Sequence, residues 1–552
     1  MEDDYLREQL NLESNSLLHQ YLKDSYEHFT LADYVDYVAL NDNMTALCHI
    51  NRNGNKIELS YDDLRKKSNQ MANYLKNKGV KKGDVVALIL RNNIEFFLLV
   101  LAIQKLGGVV LPMQYMNKKN QYKSVFDRAK PSCIIAEDYE LKQGNNSCFV
   151  LDEIDKSENN DAIKLCVNKN SEFSAGWEDL QDYQQYPTEF TKEDVNIYDL
   201  GYLFATSGTT GQPKLVMHNY GMALANYITG QWYGVKKGEK HYTICDSSWA
   251  MASWNMSAVL LHQGVLYIND YDRFNAEELL KCINDEKIYS LCAPRSMLTQ
   301  LIEVLKRKPE LYKTNIQSLS SAGEHLTDCD KEVIKNYFKT PLKEGYGMTE
   351  VVLPLYESSP GIWVKSPLYH DVRLVVPTGF EDPEILVYGD KLGLLMGYLI
   401  SKGKEIEYSK PPVVDNQTIW HTSDIGRLDK KGNIRCDKRY GDTVKINDCL
   451  ISMGDVEEVI KTHPMVRECV VESVSDELSG NALIANVELY NDAKEITEDD
   501  IRNYVKLYMQ NYYRPKFVNF KQIERTLNGK PIHHTSSSVP DKNMTLVRKK
   551  HQ

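Results

Sequence analysis

The stretch Tyr202-Leu-Phe-Ala-Thr-Ser-Gly-Thr-Thr-Gly-Gln-Pro-Lys214 constrains the fold more than any other, because a buried strand must end there in a segment able to face an anion. Tyr202 to Ala205 are apolar and read as that strand end. Gly208 and Gly211 permit positive φ, so backbone N–H groups can turn inward, and Thr206, Ser207, Thr209 and Thr210 add hydroxyl donors. Lys214 supplies a point charge. The combination reads as a phosphate cradle, although Ser/Thr/Gly clusters are ordinarily solvent loops. A Walker loop is excluded on spacing, since it needs Gly-Lys-Ser/Thr where this chain has Pro213-Lys214-Leu215.

Around this stretch the hydrophobic pattern alternates between strand and helix. Asn53-Gly54 between alternating apolar segments signals a hairpin. Ser60 and Asp63 form a capping box for a helix whose Leu64, Met71, Ala72 and Leu75 recur at helical spacing and which stops at Gly79. Val85 to Leu90 reads as a buried strand, Glu95 to Leu106 as a helix and Val109 to Leu111 as the next strand, a βαβ order that implies a parallel sheet. The alternation resumes with strands at Tyr242 to Cys245 and Tyr289 to Ala293 and helices at Ala276 to Asp285 and Met297 to Leu305. From about Trp363 short strands such as Glu384 to Val387 suggest a β-rich module. Further on, a helix at Val456 to Lys461, strands at Glu468 to Val474 and Ala482 to Leu489, and a helix capped by Thr497 and Asp500 look like a separate small domain. Ile501, Tyr504, Val505 and Tyr508 share one face of that last helix. From Thr535 the polar, Ser-rich tail is expected to be disordered.

At 552 residues the chain exceeds one hydrophobic core. Its 66 Lys plus Arg against 77 Asp plus Glu give a net charge of −11, so nucleic acid and anionic membrane have no electrostatic pull on it. The 11 cysteines include no Cys-x-x-Cys pair, which fits a reducing cytoplasm better than a disulfide framework. The acidic start MEDDYLREQL is neither secretory signal nor basic transit peptide, and the apolar run Phe96 to Ile103 is too short to span a membrane. The histidines at 218, 421, 533 and 534 lack metal-ligand spacing, so no zinc site is expected.

Four further stretches carry chemistry: Ser321-Ala-Gly-Glu324, Tyr346-Gly-Met-Thr-Glu350, His421-Thr-Ser-Asp424 before Asp429-Lys-Lys-Gly-Asn433, and Asn528-Gly-Lys530. Singly each has a bland reading as packing, cap or solvated charge. In order with the phosphate stretch, from about Leu31 to His534, they resemble the adenylate-forming (AMP-binding) superfamily. Asp246-Ser-Ser-Trp249, Tyr271-Asp-Arg-Phe274, Ala293-Pro294 and Ala322-Gly-Glu324 look most similar to medium-chain acyl-CoA synthetases.

The resemblance implies an α/β protein: a large N-terminal domain of two doubly wound subdomains plus the β-rich module (1–438), a hinge (439–441) and a small mobile α+β domain (442–534), followed by the tail (535–552). It implies that a carboxylate attacks the α-phosphorus of ATP, pyrophosphate leaves, and a thiol opens the acyl-adenylate. Both reactants in the first step are anions, so the transition state needs cations and N–H donors. By resemblance, Thr206, Ser207, Gly208, Thr209, Thr210, Gly211 and Lys214 grip the phosphates. Gly323 and Glu324 line the base site, Tyr346 stacks on adenine, Gly347 and Met348 are among the ATP/AMP-binding residues, and Thr349 touches the α-phosphate. Glu350 holds Mg²⁺, Asp424 and Arg439 hold the ribose, and Lys530 bridges carboxylate and α-phosphate. Trp249 and Trp254 wall the acyl pocket or pack the core.

Two positions depart from the family's hinge pattern. Lys438-Arg-Tyr-Gly-Asp-Thr-Val-Lys-Ile-Asn-Asp-Cys-Leu450 keeps Arg439, Asp442 and Lys445 but has Gly441 at the hinge carboxylate and Asp448 at a glycine that lets the pantetheine thiol approach. Glycine absorbs rotation readily, whereas a carboxylate at 448 would crowd and repel CoA. The expected partners are a small to medium apolar carboxylic acid and CoA. A carrier-protein thiol or an amine is the alternative acceptor, and a non-catalytic nucleotide-binding regulator is the rival of another class.

Overall fold

The computed structural model describes residues 10, 12, 16–51, 53–143, 146–157, 161–206, 213–270, 274–311, 313, 316–323, 326, 328–376, 382–389, 392–402, 405–414, 417–439, 443–446, 449–476, 480–490, 496–509, 513–525, 531 and 545–550. The chain divides into two compact units, one formed by Met1–Val372, Val387–Trp420 and Asn543–Gln552, the other by Arg373–Leu386 and His421–Lys542.

The first unit holds two large sheets. In one, the strands Thr45–Ile50, Val265–Asn269, Lys240–Thr243, Ser290–Cys292, Ser318–Ala322 and Leu342–Met348 are successive parallel neighbours. Leu342–Met348 then meets Val351–Ser359 antiparallel. In the other, Val85–Ile89 lies between Val109–Pro112 and Cys133–Glu137, all parallel, and Val109–Pro112 neighbours Leu200–Thr206. Beyond Leu200–Thr206 the order turns antiparallel through Lys214–Asn219, Gly397–Lys402 and Glu405–Lys410. The expected α/β class is therefore what the first unit shows, and both sheets are mixed: Lys56–Ser60 and Val351–Ser359 add antiparallel strands to the first, and Lys214–Asn219 begins the antiparallel part of the second.

Local signals explain the helices. Tyr61–Lys78 starts from the Ser60–Asp63 capping box and ends at Gly79 with φ 106°, a left-handed stop that a side chain would strain. Ile94–Lys105, capped by Asn93, carries the unbroken apolar run Phe96 to Ile103, which is buried on every face. Val85, Leu111, Ile134, Leu203, Leu215 and Met217 share one core beneath the second sheet. Leu280, Leu291, Leu298, Leu301 and Leu319 build another beneath the first.

The second unit contains the antiparallel pair Val466–Asp476 and Gly480–Leu489, with Phe517–Phe520 parallel to the latter. Helices Met453–Lys461 and Glu498–Tyr508 pack Val456, Ile460, Ile501 and Val505 onto this sheet. Thr497 and Asp500 form the expected capping box, a device worth about 1 kcal/mol. Of the four residues expected to share a face of this helix, Ile501 and Val505 are fully buried, whereas Tyr508 is 65% exposed and its ring lies tilted against Tyr504 with centroids 5.0 Å apart. A second difference lies in the tail, where residues 545–550 form a strand against Glu405–Lys410 instead of remaining disordered. An edge strand offers unpaired backbone groups, and the tail takes them up in antiparallel register, Thr545 opposite Lys410 and Lys550 opposite Glu405.

Candidate active site

In the first unit, the strand Lys214–Asn219 sorts its side chains by strict alternation. Leu215 and Met217 enter the apolar core, leaving Lys214, Val216 and His218 on the other face. Register then assembles a row across three strands. Thr206, Phe204 and Tyr202 stand opposite Lys214, Val216 and His218, and Tyr398 stands opposite Val216 from the other side. Tyr398 is thus diagonal to both Lys214 and His218, within reach of a long side chain. The Lys214 ammonium lies 4.7 Å from the centroid of the Tyr398 ring, a cation–π contact. Arg128 donates to the Pro213 carbonyl at 2.8 Å and fixes the chain just before Lys214.

The Tyr346–Glu350 segment sits where Leu342–Met348 reverses into Val351–Ser359, and all five residues are half-buried. Two bonds pin its backbone. His218 Nε2 contacts the Thr349 carbonyl at 2.6 Å, and the Leu395 N–H donates to the Glu350 carbonyl at 2.9 Å. Because a carbonyl only accepts, Nε2 of His218 must carry the proton and Nδ1 must be bare. Nδ1 is indeed buried without a partner, and burial lowers the His218 pKa to about 4, so the ring is neutral. The Glu350 carboxylate is held in turn, since the Tyr398 hydroxyl donates to its Oε1 at 2.8 Å. Trp420 completes the frame, donating from Nε1 to Met348 Sδ at 3.4 Å and meeting the Tyr398 ring edge-on at 6.0 Å. Gly347 has no room for a side chain at ease: a Cβ there would lie 3.1 Å from the Leu353 nitrogen and 3.3 Å from the Val351 carbonyl oxygen.

Gly323 ends the neighbouring strand in the left-handed region, φ 91°, and is exposed. Just beyond it, the Leu326 N–H donates to Glu344 Oε1 at 3.1 Å. Lys331 bridges the buried Glu344 and Glu357 at 2.5 and 3.1 Å, tying the base of the Tyr346 strand to its partner. Trp254 is 9% exposed and donates to Met222 Sδ at 3.2 Å, so it packs between helices Gly221–Tyr233 and Ala250–Leu261. Trp249 precedes the second of these helices and is half-buried.

In the second unit, Glu384 clamps the predicted ribose-binding segment. Its Oε2 meets His421 Nδ1 at 2.9 Å and its Oε1 accepts from the Ser423 N–H at 2.8 Å. Ser423 adopts φ 58°, a left-handed turn for a non-glycine residue, immediately before the buried Asp424. Arg439 is the antiparallel partner of Asp424, so the two predicted ribose contacts are neighbours across one ladder. Ser207, Gly208, Thr209, Thr210, Gly211, Glu324, Gly441, Asp448 and Lys530 lie outside the described residues.

The strand register thus brings Thr206 and Lys214 together, and the His218 and Tyr398 bonds join this row to Thr349 and Glu350. Asp424 and Arg439 form a second group in the other unit. Sequence reasoning missed Tyr398, Trp420 and the Lys331 cluster, which come from distant strands and have no local signature. His218 had one available signal, its position four residues after Lys214 on an alternating strand.

A pinned carboxylate and a strand-borne lysine on an α/β frame suit a protein that handles a nucleoside triphosphate. Solved structures of adenylate-forming ligases share the fold. The anthranilate CoA ligase AuaEII in complex with anthranoyl-AMP aligns with a TM-score of 0.77 at 18% identity, covering 91% of this chain and 96% of that one. ATP-bound MatB from Rhodopseudomonas palustris aligns at 0.73 and 20% identity, covering 91% and 97%. Among sequence relatives, the uncharacterized acyl–CoA ligase YtcI of Bacillus subtilis is 27% identical, covering 91% of this chain and 94% of the relative. The mitochondrial acyl-coenzyme A synthetase ACSM3 of Homo sapiens is 26% identical, covering 87% and 83%. Residues 31–379 match the AMP-binding enzyme family and residues 455–530 the AMP-binding enzyme C-terminal domain. The chain belongs to the AMP-binding enzyme family, and the expected AMP-forming ligase of the acyl-CoA synthetase type agrees with these likenesses. No helix among the described residues is long and apolar enough to cross a membrane.

Proposed function

We propose that the protein activates a small to medium, apolar carboxylic acid with ATP and passes the acyl group from the adenylate to the thiol of CoA. The observation that carries this reading is the Lys214–Tyr398–Glu350 arrangement, one cation and one oriented carboxylate on a shared frame. Glu350 would hold Mg²⁺, a hard ion bound through one carboxylate plus substrate phosphates, and the bond from Tyr398 to Oε1 keeps that carboxylate oriented. When bound, Mg²⁺ would neutralise phosphate charge. Lys214 and the hydroxyls from Thr206 to Thr210 grip the departing pyrophosphate, Thr349 orients the α-phosphate, and Tyr346 with Gly323 and Glu324 receives the adenine. Asp424 accepts from two ribose hydroxyls and Arg439 assists. Lys530 offsets the charge that gathers as carboxylate meets phosphate. The small domain turns about 439–441 between the two half-reactions, and Gly441 eases the rotation. A reducing cytoplasm suits the eight free cysteines among the described residues.

The test is carboxylate-dependent exchange of labelled pyrophosphate into ATP over a panel of acids, with acyl-CoA detected by mass spectrometry. Exchange is expected with at least one acid and is lost in Lys530→Ala. An enzyme that exchanges with no acid is not a ligase. Exchange without acylation of CoA identifies a carrier-protein thiol or an amine as acceptor, and recovery of CoA transfer in Asp448→Gly assigns the block to that carboxylate.

A further inference from the structure

Lys214 lies on a strand of one sheet of the first unit and Glu350 in the turn between Leu342–Met348 and Val351–Ser359 of the other, yet a single tyrosine touches both. We infer that Tyr398 is a positioning residue that couples the lysine of the phosphate stretch to the metal-binding carboxylate. The inference rests on the site reading above and goes further, giving one side chain two separable roles. Its hydroxyl donates to Glu350 Oε1 at 2.8 Å, and its ring face carries the Lys214 ammonium at 4.7 Å from the centroid.

Tyr398 is well placed to act as a fixed reference. It is 8% exposed, lies opposite Val216 in an antiparallel ladder, and has Trp420 against its ring edge. Neither Lys214 nor Glu350 is so enclosed, both being half-buried, so the rigid group orients the two less enclosed ones. The hydroxyl bond also fixes the orientation of the Glu350 carboxylate that would hold an ion. With Oε1 engaged, the carboxylate cannot rotate without breaking a charge-assisted bond. The ring in turn holds Lys214 by its quadrupole. A ring, unlike a carboxylate, holds the ammonium without neutralising its charge.

The two roles separate by substitution. Tyr398→Phe keeps the ring beneath Lys214 and removes the bond to Glu350, whereas Tyr398→Leu removes both. The probe is Mn²⁺ titrated into the full-length protein with α,β-methylene-ATP and followed by electron paramagnetic resonance, alongside pyrophosphate exchange and thermal melting. In Tyr398→Phe, Mn²⁺ affinity in the nucleotide complex should fall about tenfold, the scale of one hydrogen bond to a charged group, while the KM for pyrophosphate stays within twofold. Tyr398→Leu should show the same metal defect and in addition a several-fold higher KM for pyrophosphate. Glu350→Gln should abolish the effect of Tyr398→Phe on Mn²⁺, because the pair acts as a unit.

A Tyr398→Phe protein that binds Mn²⁺ with nucleotide as the wild type does, or loses metal and pyrophosphate affinity together, overturns the coupling role. A wild-type protein that binds no Mn²⁺ with nucleotide removes the site reading itself and the inference with it.

Discussion

Replacing His218 with leucine tests whether a neutral, buried imidazole holds the Thr349–Glu350 segment. The ring is fully buried, and burial lowers its pKa from 6.5 to about 4. A depressed folded-state pKa means that the unfolded chain binds more protons, so the stabilisation from neutral His218 is complete above pH 6.5 and is lost as pH falls through about 4. At about 1.36 kcal/mol per unit, that loss is about 2 kcal/mol by pH 5 and about 3 kcal/mol below pH 4. At pH 7.5, His218→Leu strands the Thr349 carbonyl and should cost about 1–3 kcal/mol. Leucine does not titrate, so by pH 5 the gap between variant and wild type should shrink by about 2 kcal/mol. Urea unfolding followed by tryptophan fluorescence at the two pH values measures this. His218→Gln, which can present an N–H toward the Thr349 carbonyl, should retain more pyrophosphate exchange than His218→Leu. A gap that is the same at pH 7.5 and pH 5 would refute the neutral, buried imidazole.

Gly397→Ala should destabilise the first unit by about 3 kcal/mol or more, because the backbone has φ 154° and a Cβ would lie 2.0 Å from the Ser409 carbonyl oxygen. Since residue 398 follows directly, Mn²⁺ binding with nucleotide should weaken as well, measured as for the Tyr398 variants. Arg91→Met should cost about 3–5 kcal/mol in urea unfolding, since it leaves the buried Glu137 without its cation. Adding Glu137→Met should recover most of that loss; a double variant as unstable as the single one would show that the charge is not the cause.

Much of the chain was legible because its signals are local. The capping box at Ser60 and Asp63, the left-handed stop at Gly79 and the buried Ile94–Lys105 helix all rest on residues within a few positions of one another. Of the candidate site, the sequence offered a string of motifs, and the structure describes Thr206, Lys214, Gly323 and Tyr346–Glu350 from it. Tyr508 and the tail escaped for a physical reason: periodicity gives a face but not its burial, and polar residues become a strand when an edge elsewhere needs partners.

By itself, the sequence determined the α/β class through its alternation of strand and helix patterns, and the family through motifs that keep their order along the chain. Only the tertiary structure decided what orients them. Tyr398 reaches Lys214 because Gly397–Lys402 pairs with Lys214–Asn219 in one particular register, and a shift of one residue would turn the ring to the opposite face. His218 reaches Thr349, and Tyr398 reaches Glu350, because two sheets meet there. Contacts of that kind depend on register and packing between segments far apart in the chain, and no local pattern encodes them.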